Sequence, residues 1–298
     1  MKNKNQKFGF VAIVGRPNVG KSTLMNYILG KKLSITSKKP QTTRHRILGI
    51  KTVDDVQVVY VDTPGLHTQE KHAMNRYLNR AARSSLQDVN VILFVVDLMT
   101  WEADDEWILQ QLKSTGAPVI LAVNKIDKLK DRSSLLPYLE TAASRFDFHS
   151  IVPFSAKKGD QVSELEQEII ACLPEDQHYF DPDQFTDRSN RFIATEILRE
   201  KLTRMLGEEL PYAVTVTIEA FEEDERLVKI SAIIWVEKET QKAIVIGKNG
   251  AHLKDISTKA RLDMETYFEK KVFLKTWVKV KSGWADDERA LGTLGYDE

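Results

Sequence analysis

Cysteine is almost absent: Cys172 stands alone in 298 residues, so no disulfide can form within the chain. Its neighbours from Val162 to Leu173 have helical apolar spacing, which gives the thiol a packing role rather than a reactive one. Nine prolines and fourteen glycines are too few and too scattered for a fibrous or low-complexity chain. No apolar run approaches the roughly 18 residues of a membrane span. The longest, such as Val91-Ile92-Leu93-Phe94-Val95-Val96, suit central strands of a parallel sheet. The basic start Met1-Lys2-Asn3-Lys4 leads into the first strand without an apolar leader, so a cytoplasmic location is expected. Net charge is missing too, at 43 basic against 43 acidic residues, and any polyanion site has to be sought locally. What is present is a 42 % hydrophobic content, enough for a core in each of two domains.

The first chemical signal is Gly15-Arg16-Pro17-Asn18-Val19-Gly20-Lys21-Ser22, a G-x-x-x-x-G-K-S loop between the apolar run Phe8 to Val14 and the helical pattern that begins at Thr23. Strand, loop and helix are the context in which this motif binds phosphate. Backbone N–H groups and the helix N-terminus face the anion, Lys21 reaches the β and γ phosphates, and the Ser22 hydroxyl can ligate magnesium. A glycine-containing turn with an ordinary lysine is the bland alternative.

Three further segments follow in the order a guanine nucleotide requires. Asp62-Thr63-Pro64-Gly65 closes the alternating run Val56 to Val61, placing a carboxylate at a strand end over the metal, with the Gly65 N–H directed to the γ-phosphate. Asn124-Lys125-Ile126-Asp127 follows the buried-strand pattern Pro118 to Val123. A carboxylate accepts two hydrogen bonds side by side, and guanine offers two adjacent donors where adenine offers an acceptor, so Asp127 selects guanine. Asn124 is expected at the N7 edge and the Lys125 stem along the base plane. Ser155-Ala156-Lys157, after the strand Ser150 to Phe154, is placed to offer N–H groups to the guanine O6.

Strands alternate with helices up to Leu173, which predicts a doubly wound α/β domain. The Pro- and Asp-rich stretch Pro174 to Asp183 breaks that pattern and reads as a linker. Beyond it the pattern predicts a helix (Arg191 to Leu206), two strands (Val214 to Phe221, Leu227 to Val236), a short helix up to Gly247, a longer helix (Ala251 to Phe268) and a strand (Val272 to Val280). Between Lys238 and Lys281 eleven basic residues face five acidic ones, whereas Glu208 to Glu225 carries seven acids and no base. Such segregation favours a polyanion on one face.

Together with Gln41-Thr42-Thr43-Arg44, these motifs resemble the translation-factor-related GTPases. Val245-Ile246-Gly247-Lys248-Asn249-Gly250 and the run Trp277 to Arg289 narrow the resemblance to the Era family. It covers nearly the whole chain and implies a P-loop GTPase followed by an α+β type II KH domain, with residues 1–173 as the G domain, 174–190 as linker, 191–283 as KH domain and 284–298 as tail. It implies slow hydrolysis of GTP to GDP and phosphate, with Lys21, Thr43, Asp62 and Gly65 in the reaction and magnesium on Ser22, on one of Thr42 and Thr43, with Thr43 favoured, and on Asp62 directly or through a water. Leu66 stands where Ras-like enzymes place a water-orienting glutamine, hence the slow turnover. Asn18 resembles an asparagine that supports potassium in related GTPases; the alternative is that it only shapes the loop.

The resemblance further implies that Ile246, Gly247, Lys248, Asn249, Gly250 and Lys254 bind RNA. The RNA would be the 3′ region of small-subunit ribosomal RNA, bound by a monomer that assists assembly of the small subunit. A second reading is a signalling GTPase with peripheral membrane association, since basic surfaces serve anionic lipid as well as RNA.

Overall fold

The computed structural model describes residues 6–37, 39, 42–65, 73–129, 131–207 and 213–296. The chain divides into two compact units, one comprising Met1–Ser34, Thr43–Glu70 and Leu78–Asp187, the other Ile35–Thr42, Lys71–Tyr77 and Arg188–Glu298.

In the first unit, β1 (Lys7–Val14), β2 (Ile47–Val53), β3 (Val56–Asp62), β4 (Val91–Asp97), β5 (Val119–Asn124) and β6 (Ser150–Phe154) form one sheet in the order β2-β3-β1-β4-β5-β6. The expected parallel arrangement holds from β3 to β6, but β2 runs antiparallel to β3. The cause is local. Only Asp54 and Asp55 separate the two strands, Asp54 has φ 51°, and so short a connection permits only a hairpin. Residues of β4 and β5 are buried on both faces, which explains their unbroken apolar sequence. Helices α1 (Lys21–Leu29), α3 (Ala103–Leu112), α4 (Leu135–Ala143) and α5 (Val162–Cys172) alternate with the strands, and α2 (Ala73–Ser84), which the division into units splits between Tyr77 and Leu78, precedes β4. The Cys172 thiol is partly buried, and that burial pushes its pKa up.

Most of the stretch after Leu173 is fixed rather than slack. The buried Gln57 side chain accepts from the Tyr179 and Phe180 N–H groups, both at 2.9 Å, and Ile50 N–H donates to Phe185 O at 2.9 Å. The division between units falls at Asp187 and Arg188.

The second unit contains α6 (Asn190–Met205), β7 (Val214–Glu223), β8 (Leu227–Val236), α7 (Glu239–Ile246), α8 (Ala251–Phe268) and β9 (Lys271–Val280). Its sheet has the order β7-β8-β9, antiparallel then parallel. Helices α6 and α8 pack on each other and on β7 and β9, and bury Ile197, Leu198, Ile256, Ala260 and Met264 with Val228, Ile230 and Ile234 of β8. The α-β-β-α-α-β order is that of a type II KH fold. The segment after β9 is packed as well: Trp284 is fully buried and stacks on Tyr296, the Tyr296 hydroxyl lies 2.8 Å from Thr215 Oγ1, and α9 (Glu288–Thr293) is capped by Asp287.

Candidate nucleotide site and nucleic-acid groove

The loop from Gly15 to Ser22 joins β1 to α1 as its sequence requires. Gly20 caps α1 at φ 110°, and a Cβ there would lie 2.1 Å from the Asn124 amide nitrogen, so only glycine fits. Lys21 is buried and its Nζ donates to Gly15 O (2.8 Å) and Arg16 O (2.9 Å). Burial lowers its pKa to about 8, against the opposing pull of Asp62 and Asp105. Asn18 sits exposed at the loop tip with φ 65°, a conformation Asn tolerates better than most residues.

On the metal side, Ser22 Oγ lies 2.9 Å from Thr43 Oγ1 and donates to Asp62 Oδ2 at 2.8 Å. Asp62 Oδ1 is buried and has no hydrogen-bond partner among the described residues. Burial raises the Asp62 pKa, and the nearby Lys21 charge opposes the rise. Two hydroxyls and an unpartnered carboxylate oxygen form a set of hard oxygen donors, which suits magnesium. Thr63 Oγ1 donates to Ile13 O at 2.9 Å, fixing the start of the Thr63-Pro64-Gly65 turn, and a Cβ on Gly65 would lie 2.9 Å from Pro17 N. Leu66 lies outside the described residues, as does Gln41.

The base side is tied together over long sequence distances. Asn124 Nδ2 donates to Val19 O at 2.7 Å, while its Oδ1 accepts from the Ala156 N–H at 2.9 Å. This residue, placed by its sequence at the base edge, thus also locks the phosphate loop to the Ser155-Ala156-Lys157 turn. The Lys125 ammonium pairs with Asp97, and its backbone is left-handed at φ 73°. Asp127 is exposed, and the buried Ser155 donates from Oγ to its Oδ1 at 2.7 Å.

Several partners were not visible from motifs. Ser155 bonds the Asp127 carboxylate through its hydroxyl, a contact beyond the N–H role read for the tripeptide. Arg16 pairs with Asp105 (2.9 Å) and Glu102 (3.0 Å), anchoring the loop to the start of α3.

In the second unit, α6 buries Glu196, Arg199, Glu200 and Lys201. Arg199 donates to both Glu196 oxygens (2.7 and 2.6 Å) and to Thr42 O (2.5 Å). Glu200 accepts from the Thr36 N–H at 3.2 Å, and Arg204 Nε donates to Thr36 O at 2.8 Å. These residues therefore hold Thr36 and Thr42. The signal was charge at positions where an amphipathic helix should be apolar.

The groove of the second unit is lined by Gly250, Leu253, Lys254, Ser257, Thr258, Arg261, Leu274 and Thr276 and encloses about 340 Å³. Gly247 (φ 71°), Asn249 (φ 52°) and Gly250 (φ 76°) make the tight link from α7 to α8. A Cβ on Gly247 would strike His252, whereas space beside Gly250 is open for a backbone to approach. Ile246 lies half-buried at the end of α7, and Lys248 and Lys254 are exposed on either side of the turn.

A G-x-x-x-x-G-K-S loop between β1 and α1, the Asn124–Asp127 segment at the end of β5 and a G-x-x-G link in an α-β-β-α-α-β fold are the parts of a P-loop GTPase joined to a KH domain. Comparison with known proteins agrees: residues 10–125 match the family described as 50S ribosome-binding GTPase, and residues 209–285 match the KH domain family. The chain is 57 % identical over 290 residues to the GTPase Era of Coxiella burnetii (strain Dugway 5J108-111), covering 97 % of this chain and 98 % of that one. It is 58 % identical to the Era of Haemophilus influenzae (strain PittGG), over 97 % and 96 % of the two chains. Among solved structures, Era in complex with MgGDPNP and nucleotides 1506–1542 of 16S ribosomal RNA matches with a TM-score of 0.95 at 38 % identity, over 98 % of this chain and all of that one. A variant of Aquifex aeolicus Era bound to GDP and AlF4⁻ matches equally, with a TM-score of 0.95 at 38 % identity and the same coverage. The chain belongs to the Era family of GTPases.

Proposed function

We propose that this chain acts as a cytoplasmic monomer, a GTP-hydrolysing switch whose KH unit binds the 3′ region of small-subunit ribosomal RNA and assists small-subunit assembly. The carrying observation is the oxygen set of Ser22, Thr43 and Asp62 beside the buried Lys21. Magnesium, when bound, neutralises charge on the β and γ phosphates. Ser22 and Thr43 would hold it by their hydroxyls, and Asp62 by its unpartnered oxygen or through a water. Lys21 and the N–H groups of the loop stabilise charge on the departing diphosphate, and the Gly65 N–H faces the γ-phosphate. A potassium ion supported by Asn18 would add a second positive charge there.

The RNA reading is supported by the G-x-x-G groove and by the 16S ribosomal RNA bound to the related Era structure. The membrane-signalling alternative is not favoured, because the full-length match is to an Era structure in complex with 16S ribosomal RNA. The test is crosslinking of the whole protein to cellular RNA, with GTP and GDP compared. Enrichment of the small-subunit 3′ end is expected. Fragments spread evenly over all RNAs, or recovery in a membrane pellet that survives ribonuclease, would contradict it.

A further inference from the structure

Strand β9 reads Lys271-Val272-Phe273-Leu274-Lys275-Thr276-Trp277-Val278-Lys279-Val280 and lies at the edge of its sheet. Period-two alternation sends its even-numbered side chains toward α7 and α8, where Leu274 and Thr276 line the groove. The odd-numbered side chains occupy the opposite face, where lysine alternates with an aromatic ring. Phe273 is 51 % exposed and Trp277 44 %, unusual for rings of this size. No acidic residue occurs on the strand. The Lys275 ammonium sits 5.4 Å from the Phe273 ring centroid, and Lys279 lies 5.8 Å from the ring of Trp235 on β8. The Trp235 indole N–H donates to Thr217 Oγ1 at 2.9 Å, which fixes that ring in place. Lys279 also meets Glu219 at 3.7 Å, an exposed pair that a phosphate could replace.

We propose that this open sheet face is a second binding surface for single-stranded RNA, extending past the β9 edge from the G-x-x-G groove. The proposal rests on the RNA reading of that groove and lengthens its footprint. Phe273 and Trp277 are four residues apart, roughly 13 Å at strand rise. That leaves room for two bases to stack on separate rings, with lysines between them for the phosphates, the pattern by which proteins bind single strands without reading sequence. A protein partner fits less well, because the centre of a protein interface is depleted of charge and here every second outward residue is lysine. The strand is shared: its even-numbered side chains line the groove and its odd-numbered ones form the platform, so an RNA leaving the groove has only the sheet edge to cross.

The experiment uses the full chain with GDPNP and magnesium at fixed salt, and two fluorescent RNAs of small-subunit 3′-end sequence. One has about six nucleotides, enough for a KH groove, and the other about twelve. The Phe273→Ala/Trp277→Ala variant should bind the longer RNA roughly 10- to 100-fold more weakly, as loss of base stacking implies. It should bind the shorter RNA as the parent does. Trp277→Phe should keep most of the affinity, because a ring still stacks there. Gly250→Asp should lose the short RNA, so failure of the groove reading and failure of this one are separable. Both rings are exposed, so the variants should melt as the parent does. Unchanged affinity of the double variant for the longer RNA would overturn the proposal. So would equal weakening on both RNAs, or a face that retains anionic vesicles but not RNA.

Discussion

Substitution of Ser155 by alanine isolates the part of the base site that the motifs did not show. Ser155 is fully buried, and its hydroxyl donates to Asp127 Oδ1 at 2.7 Å while accepting from the Lys158 N–H at 3.1 Å. Asp127 itself is exposed, so without Ser155 its carboxylate is free to turn into solvent. A hydrogen bond to a charged group contributes about 1.5–3 kcal/mol. Water can replace part of it at an exposed carboxylate, which leaves roughly 1–2 kcal/mol, or about 5- to 30-fold in affinity. Ser155→Ala should therefore weaken GTP binding by about that factor. The loss should be smaller for inosine triphosphate, which lacks the 2-amino group and gives Asp127 one donor instead of two. Titration calorimetry of both nucleotides against parent and variant reads the effect, and a melting curve checks the fold. Undiminished GTP affinity, or equal losses for the two nucleotides, would refute the assignment of Ser155 as the residue that orients the guanine-reading carboxylate.

Nucleotide binding should depend on pH through Lys21. Its pKa of about 8 in the protein alone should rise when a phosphate neighbours it, so binding takes up a proton above pH 8 and affinity falls by up to about tenfold per pH unit, seen by calorimetry in buffers of different ionisation heat. The same depressed value means that its burial costs stability below pH 8, and that this cost is relieved as pH climbs from about 8 toward the ordinary 10.5. Arg199→Ala leaves the Glu196 carboxylate buried without its guanidinium partner and should destabilise the second unit by about 3–5 kcal/mol in urea unfolding, whereas replacing Arg199 and Glu196 together by apolar residues should cost much less. Turnover should be faster in potassium than in sodium, and Asn18→Ala should remove the difference, as phosphate-release assays would show.

Much of this was legible because each signal was local. Helix α8 spans Ala251–Phe268 and strand β8 Leu227–Val236, the ranges that apolar spacing and alternation gave. The phosphate loop, Asp62 and Asn124 to Asp127 each stand at a strand end, where a run of apolar residues announces them. What stayed hidden depends on tertiary contacts. Asn124 reaches Val19 across 105 residues, and no spacing rule predicts which carbonyl a buried amide will find. Gln57 looked like the polar member of an alternating strand, yet it is buried and holds the stretch read as a linker. Periodicity placed a helix over Arg191 to Leu206 but said nothing of the partners of its buried charges, among them Thr36 and Thr42. The antiparallel β2 was lost because a two-residue turn of aspartates carries no glycine or asparagine to mark it.

The central claim is that the guanine nucleotide controls RNA binding. The segment Ile35–Thr42 belongs with the KH unit, while Thr43, one peptide bond later, belongs with the nucleotide unit. The direct measurement is the affinity of the full chain for a single-stranded small-subunit 3′-end RNA in saturating GDPNP and in saturating GDP at one salt concentration, together with the affinity for each nucleotide with and without that RNA. The account predicts tighter RNA binding with GDPNP, by a factor in the range of about 5 to 150, and the same factor in the ratio of nucleotide affinities, because coupling free energy is reciprocal. Equal RNA affinity in the two nucleotide states would contradict it.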